Sequence, residues 1–386
     1  MGVECIAQGA VTLERMKVLV IFGTRPEAIK LAPVISALCR HPRRPQVRVC
    51  VTGQHRHMLD QVLQLFGIQP HYDLNVMQPN QSLAQLTASV LVHLEPVIQA
   101  ERPDWVIVQG DTTTVMTAAL AAFYCGVRVG HVEAGLRTFD KRQPFPEEIN
   151  RRIATVIGDL HFAPTQKARL NLLAEGVPDA RVVVTGNPVI DALHQVVAMP
   201  CDLHQGALAD VPWGERRLIL VTAHRRENFG RGIEQICLAL RDLAERYDKD
   251  VHIVYPVHLN PNVDGPVRQW LGGVANITLT PPLDYLTLAH VMQRATLVLT
   301  DSGGIQEEAP GLGKPVLVLR ETTERPEAVE AGTVKLVGTD RARIVAEAAC
   351  LLDDPSAYAA MARAINPYGD GHAAPRIAEA LLNYPL

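Results

Sequence analysis

Short β-branched, apolar runs alternate with helix-period stretches along this chain, and the alternation starts over once. No other feature narrows the fold so far. The first series has runs at 17–22, 47–51, 105–109, 128–132 and 181–185, with helical patterns between them, for example at 28–39 and 83–100. The second series has runs at 218–222, 251–255, 277–280, 297–300, 316–319 and 334–337. Runs this apolar are buried on both faces, which predicts parallel sheets covered by helices. At 386 residues the chain is also too long for one ordinary core. Two doubly wound α/β units are therefore expected, meeting near Gly186-Asn187-Pro188, with a cleft between them. In open parallel sheets ligands sit beyond the carboxyl ends of the strands.

Composition removes several classes of function. A net charge of −4 gives no reason to expect nucleic acid or an acidic membrane as partner. Seven dispersed cysteines without a C-x-x-C pair argue for reduced thiols and a cytoplasmic location, and against a disulfide framework or zinc site. No apolar stretch approaches the ~20 residues a membrane span needs. Residues 1–15 lack the basic and apolar runs of a secretion signal and precede Met16, which opens a strand. They read as a ragged extension, expected to be disordered.

The informative residues fall where the strands end. The run at 17–22 leads into Gly23-Thr24-Arg25-Pro26-Glu27 and a helix carrying Lys30; free N–H groups at that helix start and the Arg25 fork suit an anion. An ordinary turn with a solvated arginine fits the same residues. Asp111, in Gly110-Asp111-Thr112, fits a helix N-cap and equally a carboxylate facing the cleft. Glu133, in His131-Val132-Glu133-Ala134-Gly135, sits at the tip of an apolar strand, where a charge is rarely buried without a task. Glu147 and Arg151 are four apart, so a plain helical ion pair competes with a role in the cleft. In the second series, Ala223-His224-Arg225-Arg226-Glu227 is either a diphosphate clamp or a basic surface loop. Asp301-Ser302-Gly303-Gly304 opens a helix where bare backbone N–H groups can meet a phosphate, with Glu308 further along it. Arg320 and Arg325 flank the next loop.

These motifs, in this order, make the chain similar to the non-hydrolysing UDP-N-acetylglucosamine 2-epimerase family, and the likeness runs from Met16 to the C-terminus, including Asn366-Pro367-Tyr368-Gly369-Asp370-Gly371. The resemblance implies a GT-B arrangement of two Rossmann-like domains around a central cleft. Residues 16–186 with 370–386 would form the first domain and residues 187–369 the UDP-binding second, the last helix (370–382) crossing back onto the first. It implies that Ser302, Gly303, Gly304 and Glu308 hold UDP with Arg25, His224 and Arg325. Lys30, Asp111, Glu133, Glu147, Arg151 and His224 would line the reacting sugar. It further implies a homodimer activated by its own substrate at a neighbouring site, for which Gln54, His55 and His258 are candidates.

The chemistry accounts for the residue types. The C2 proton has no adjacent carbonyl, so breaking the C1–O bond first, to an oxocarbenium ion, acidifies it. A carboxylate then removes that proton to give 2-acetamidoglucal, and inversion needs proton return from the other face, hence two acid/base groups. Which of Asp111, Glu133 and Glu147 is base and which acid stays open. Neither a G-x-G-x-x-G fingerprint nor a metal-ligand cluster occurs, so no cofactor and no metal are expected. The alternatives are a hydrolysing 2-epimerase, a GT-B glycosyltransferase and a non-catalytic sugar-nucleotide sensor. The last two give no reason for three carboxylates in the first domain.

Overall fold

A computed structural model describes residues 15–53, 56–78 and 80–385 of the chain. The expectation for residues 1–14 and the candidates Gln54 and His55 lie outside them. The first sheet has seven strands: β1 (Lys17–Phe22), β2 (Gln46–Val51), β3 (Tyr72–Asp73), β4 (Trp105–Gln109), β5 (Arg128–Val132), β6 (Leu160–Ala163) and β7 (Val182–Val184). The second has six: β8 (Arg217–Thr222), β9 (Val251–Pro256), β10 (Ile277–Thr280), β11 (Leu297–Thr300), β12 (Val316–Val318) and β13 (Val334–Leu336). Their orders are β3-β2-β1-β4-β5-β6-β7 and β10-β9-β8-β11-β12-β13, and every pairing is parallel. The two-domain α/β reading holds. Two strands escaped it: β3 is two residues long, and β6 (Leu-His-Phe-Ala) carries a histidine in place of a continuous apolar run.

Strand order reverses beside β1 in the first sheet and beside β8 in the second. The loops after β1 and β4, and after β8 and β11, therefore open at the switch points, where a doubly wound sheet leaves room for a ligand.

The chain passes between the sheets at Gly186–Pro188 and returns through residues 366–372, and the two passages touch. The Asn187 N–H donates to the Tyr368 carbonyl at 2.6 Å. A Cβ on Gly186, whose φ is +87°, would stand 3.2 Å from Gly369 Cα, so the crossing needs glycine. One buried apolar cluster runs across the junction, from Phe22 and Leu31 through Ile190 to Leu220 and Val318.

The last helix, Ala373–Asn383, crosses back as expected. Asp191 receives its first N–H groups, those of Ala373 (3.1 Å) and Ala374 (2.8 Å). Tyr384 packs edge-on against Trp105 at 5.4 Å, and Arg128 donates to the Pro385 carbonyl at 2.8 Å. Among the described residues no helix is long and apolar enough to cross a membrane.

Candidate active site

The turn after β1 is tied to the turn after β4 by one buried carboxylate. Glu27 accepts from the Gly23 N–H (3.1 Å) and the Thr24 N–H (2.7 Å), and its other oxygen accepts from the Thr112 hydroxyl at 2.8 Å. Thr112 caps the helix Thr113–Tyr124. That settles one ambiguity: Asp111 is not the cap. Its carboxylate meets Arg151 at 2.5 Å, while its carbonyl accepts from Asn150 at 2.9 Å. Behind the turn, buried His131 is hydrogen-bonded through Nε2 to the Gly110 carbonyl at 2.7 Å. Burial pushes that imidazole down to about 4, so it is neutral at physiological pH.

Glu133 follows β5 in a left-handed conformation, φ +63°, unusual for a residue with a side chain. It is buried, and Oε1 accepts from Lys30 Nζ (2.5 Å) and Asn187 Nδ2 (2.8 Å), while Gln109 donates to Oε2. Asn187 also donates to Glu307 at 2.8 Å, and Arg325 bonds the other oxygen of Glu307. Two acids and two bases thus meet in one interior network drawn from both halves. Burial works against the charges of Glu133, Lys30 and Arg325, but the opposite charges prevail. Glu133 lies below the ordinary carboxylate range because Lys30 and Arg325 outweigh its desolvation, and Lys30 is held above the usual ammonium value by Glu133 and Glu307.

In the second half Asp301, fully buried, organises the β8 loop. Its Oδ2 accepts from the N–H groups of His224 (2.8 Å) and Arg225 (2.8 Å) and from Asn228 (3.0 Å). His224 stacks on His258, ring centroids 5.2 Å apart. Burial lowers the His224 pKa, with Asp301 opposing, so a neutral ring faces the cleft at pH 7. The helix Gly303–Gly311 starts with Ser302 at its cap position. One oxygen of buried Glu308 and the neighbouring Tyr285 hydroxyl make no close hydrogen bond, though the hydroxyl lies near enough to the carboxyl to act against its desolvation. Desolvation, helped by the adjacent Glu307 charge, pushes the Glu308 carboxyl up to about 7.

A cleft of about 390 Å³ gathers most of the candidates: Arg25, Lys30, His224, His258, Ser302, Gly304, Glu308 and Arg325 line it, with Tyr285 and Glu307. Gly303 lies between Arg225 and Arg325. Glu133 stands behind Lys30. Arg151 lines a smaller adjoining hollow that shares Arg325 with the cleft. Glu147 begins the helix Glu147–Ile157 and keeps one buried oxygen without a partner. The plain Glu147–Arg151 pair does not form; Arg151 turns to Asp111 and, at 3.5 Å, to Glu148. Arg320 pairs with Glu227 at 2.5 Å. Glu27, Gln109, Asn187, Tyr285 and Glu307 were not picked out as site residues in the sequence. Asn187 stood in an ordinary cap-and-proline boundary, and Glu307 beside the more suggestive Glu308.

The family model for UDP-N-acetylglucosamine 2-epimerase matches residues 37–382. The UDP-N-acetylglucosamine 2-epimerase of Escherichia coli (strain K12) is 56% identical over 373 residues, covering 95% of this chain and 99% of that protein. Among solved structures, UDP-GlcNAc 2-epimerase from Neisseria meningitidis bound to UDP-GlcNAc superposes with a TM-score of 0.86 at 50% identity, covering 95% of this chain and all of that one. The Methanocaldococcus jannaschii UDP-GlcNAc 2-epimerase in complex with UDP-GlcNAc and UDP gives 0.76 at 34%, covering 96% and 100%.

Proposed function

The chain belongs to the UDP-N-acetylglucosamine 2-epimerase family, and on that premise we propose how its cleft inverts C2 of UDP-N-acetylglucosamine. The C1–O bond breaks with its electron pair leaving on UDP, and the C2 proton passes to a carboxylate, giving 2-acetamidoglucal. UDP then re-adds through its oxygen to C1 while a proton returns to the opposite face of C2. The observation that carries this reading is the juxtaposition of two chemistries in one crevice. The turn and helix after β11 offer N–H groups, and Arg325 from the loop after β12 a guanidinium, to a leaving diphosphate; Lys30 lines the same cleft from the first half, with Glu133 behind it and the Asp111–Arg151 pair at the adjoining hollow. Preorganised donors of this kind stabilise charge as it develops. Residues 16–186 with 370–386 supply the acid/base groups, and 187–369 the nucleotide site.

The test is turnover of UDP-N-acetylglucosamine in deuterated water, followed by NMR. Both epimeric UDP-sugars should appear with deuterium at C2 and no stoichiometric free UDP. Release of UDP with N-acetylmannosamine would make the enzyme hydrolysing, and protium retention at C2 would sink the elimination.

Glu308 sets a pH dependence. Two ribose hydroxyls donate to its ionised carboxylate, so binding expels the proton that the free enzyme holds below about 7. UDP affinity should be full above that value and weaken about tenfold per pH unit below it. Calorimetry across this range checks the slope; a slope that persists in Glu308→Gln assigns it to another group.

A homodimer is proposed as the assembly. Ile149, Ile153 and Val156 recur at helical spacing on an exposed face, and Phe123 and Tyr124 project from the end of the helix packed beside it. Light scattering should read twice the chain mass, and Val156→Glu combined with Phe123→Glu should halve it; an unchanged mass in that variant moves the interface elsewhere.

A further inference from the structure

We propose that Asn187 is a positioning residue for Glu133: it holds the carboxylate aimed into the network, and turnover depends on that hold. The inference rests on the reading of Glu133 as an acid/base group. Asn187 is buried at the passage between the halves, and its side chain is committed at both ends. Its Oδ1 accepts from the Val189 N–H at 3.2 Å, capping the helix Pro188–Val197. That bond fixes which way the amide points, so Nδ2 must face inward. There its two protons go to two carboxylates, Glu133 Oε1 and Glu307 Oε2, both at 2.8 Å.

A neutral double donor is the one polar group that serves this place. Glu133 already faces Lys30 and Arg325, with Glu307 and His131 in its surroundings and Gln109 on its second oxygen. A third cation would leave the network with excess positive charge. An acid would repel both carboxylates. An apolar residue would leave a buried oxygen short of a donor. The Asn187 bond lowers the Glu133 pKa together with Lys30 and Arg325. Capping alone asks only for an oxygen, which serine and threonine supply as well. Asn187→Ser therefore separates the two roles: the cap survives and the donation is lost.

Three measurements decide the matter. Carboxyl ¹³C titration of glutamate-labelled enzyme, with Glu133 assigned by its missing signal in Glu133→Gln, should show its pKa rise by about one unit in Asn187→Ser. Turnover at saturating substrate should fall about tenfold, a fraction of what removing a general acid or base does. KM and UDP affinity should stay within about twofold, since binding is not what the amide serves. Should the serine variant fail to fold, Asn187→Asp keeps the shape and the cap while replacing both donors with a like charge. It must move the Glu133 titration in the same direction and further. An unmoved titration in a folded variant, or a moved titration with parental turnover, overturns the proposal. Parental turnover in Glu133→Gln instead overturns the assignment of Glu133, on which it rests.

Discussion

Asp111→Asn and Glu133→Gln should each lower turnover by about 10²-fold or more, the usual scale for a general acid or base, while UDP affinity stays near the parental value. The division follows from where the groups sit. Asp111 and Glu133 follow β4 and β5 of the first sheet, whereas His224 comes from the loop after β8, and Ser302 and Glu308 from the turn and helix after β11, in the second. An amide keeps the shape of each carboxylate and can still meet Arg151 or Lys30 through its oxygen, so the loss is chemical. A variant lacking the base should also lose deuterium exchange at C2. A variant blocked only in returning the proton should release 2-acetamidoglucal and UDP, which assigns its role. If both variants keep turnover within a few-fold of the parent, the two carboxylates only shape their loops.

Arg325→Ala should lower stability by about 3–5 kcal/mol, because it leaves buried Glu307 without its closest cation. For a domain of this size that is a fall in melting temperature on the order of 10 °C. Lys30 remains to offset part of the charge. Adding Glu307→Gln should restore part of the loss, since the orphaned charge goes with it. The pH dependence has a definite sign. Glu133 has a depressed pKa, with Arg325 among the causes. Its contribution is present above the unfolded value of 4.5 and lost as pH falls through the folded value. The gap between parent and Arg325→Ala should therefore narrow in acid. A loss below about 1 kcal/mol at neutral pH would mean that water screens the network as it does a surface pair.

The fold was legible because its signal is local. Apolar runs of strand length, punctuated by glycine and helix-period stretches, put β1, β4, β5, β10 and β11 at their observed bounds. Where that signal was weak the reading stopped: β3 is too short to register, and His161 interrupts β6. The helix after β1 starts at Arg25, earlier than its pattern suggested, because Glu27 reaches back to hold the turn.

The site was legible as a set of residues and illegible as a set of partnerships. Residue types at strand ends marked where a ligand cleft opens and which groups could line it, and the motifs taken together carried the resemblance that implied a sugar nucleotide there. Only the tertiary structure decided what each group touches. It gave the cap to Thr112 and freed Asp111 for Arg151, forty residues away. It set Lys30 against Glu133 across 103 residues, and Asn187 against Glu307 across 120. Sequence spacing carries backbone geometry over a few residues, whereas charge pairing and desolvation depend on distances through space that exist only once both sheets have packed.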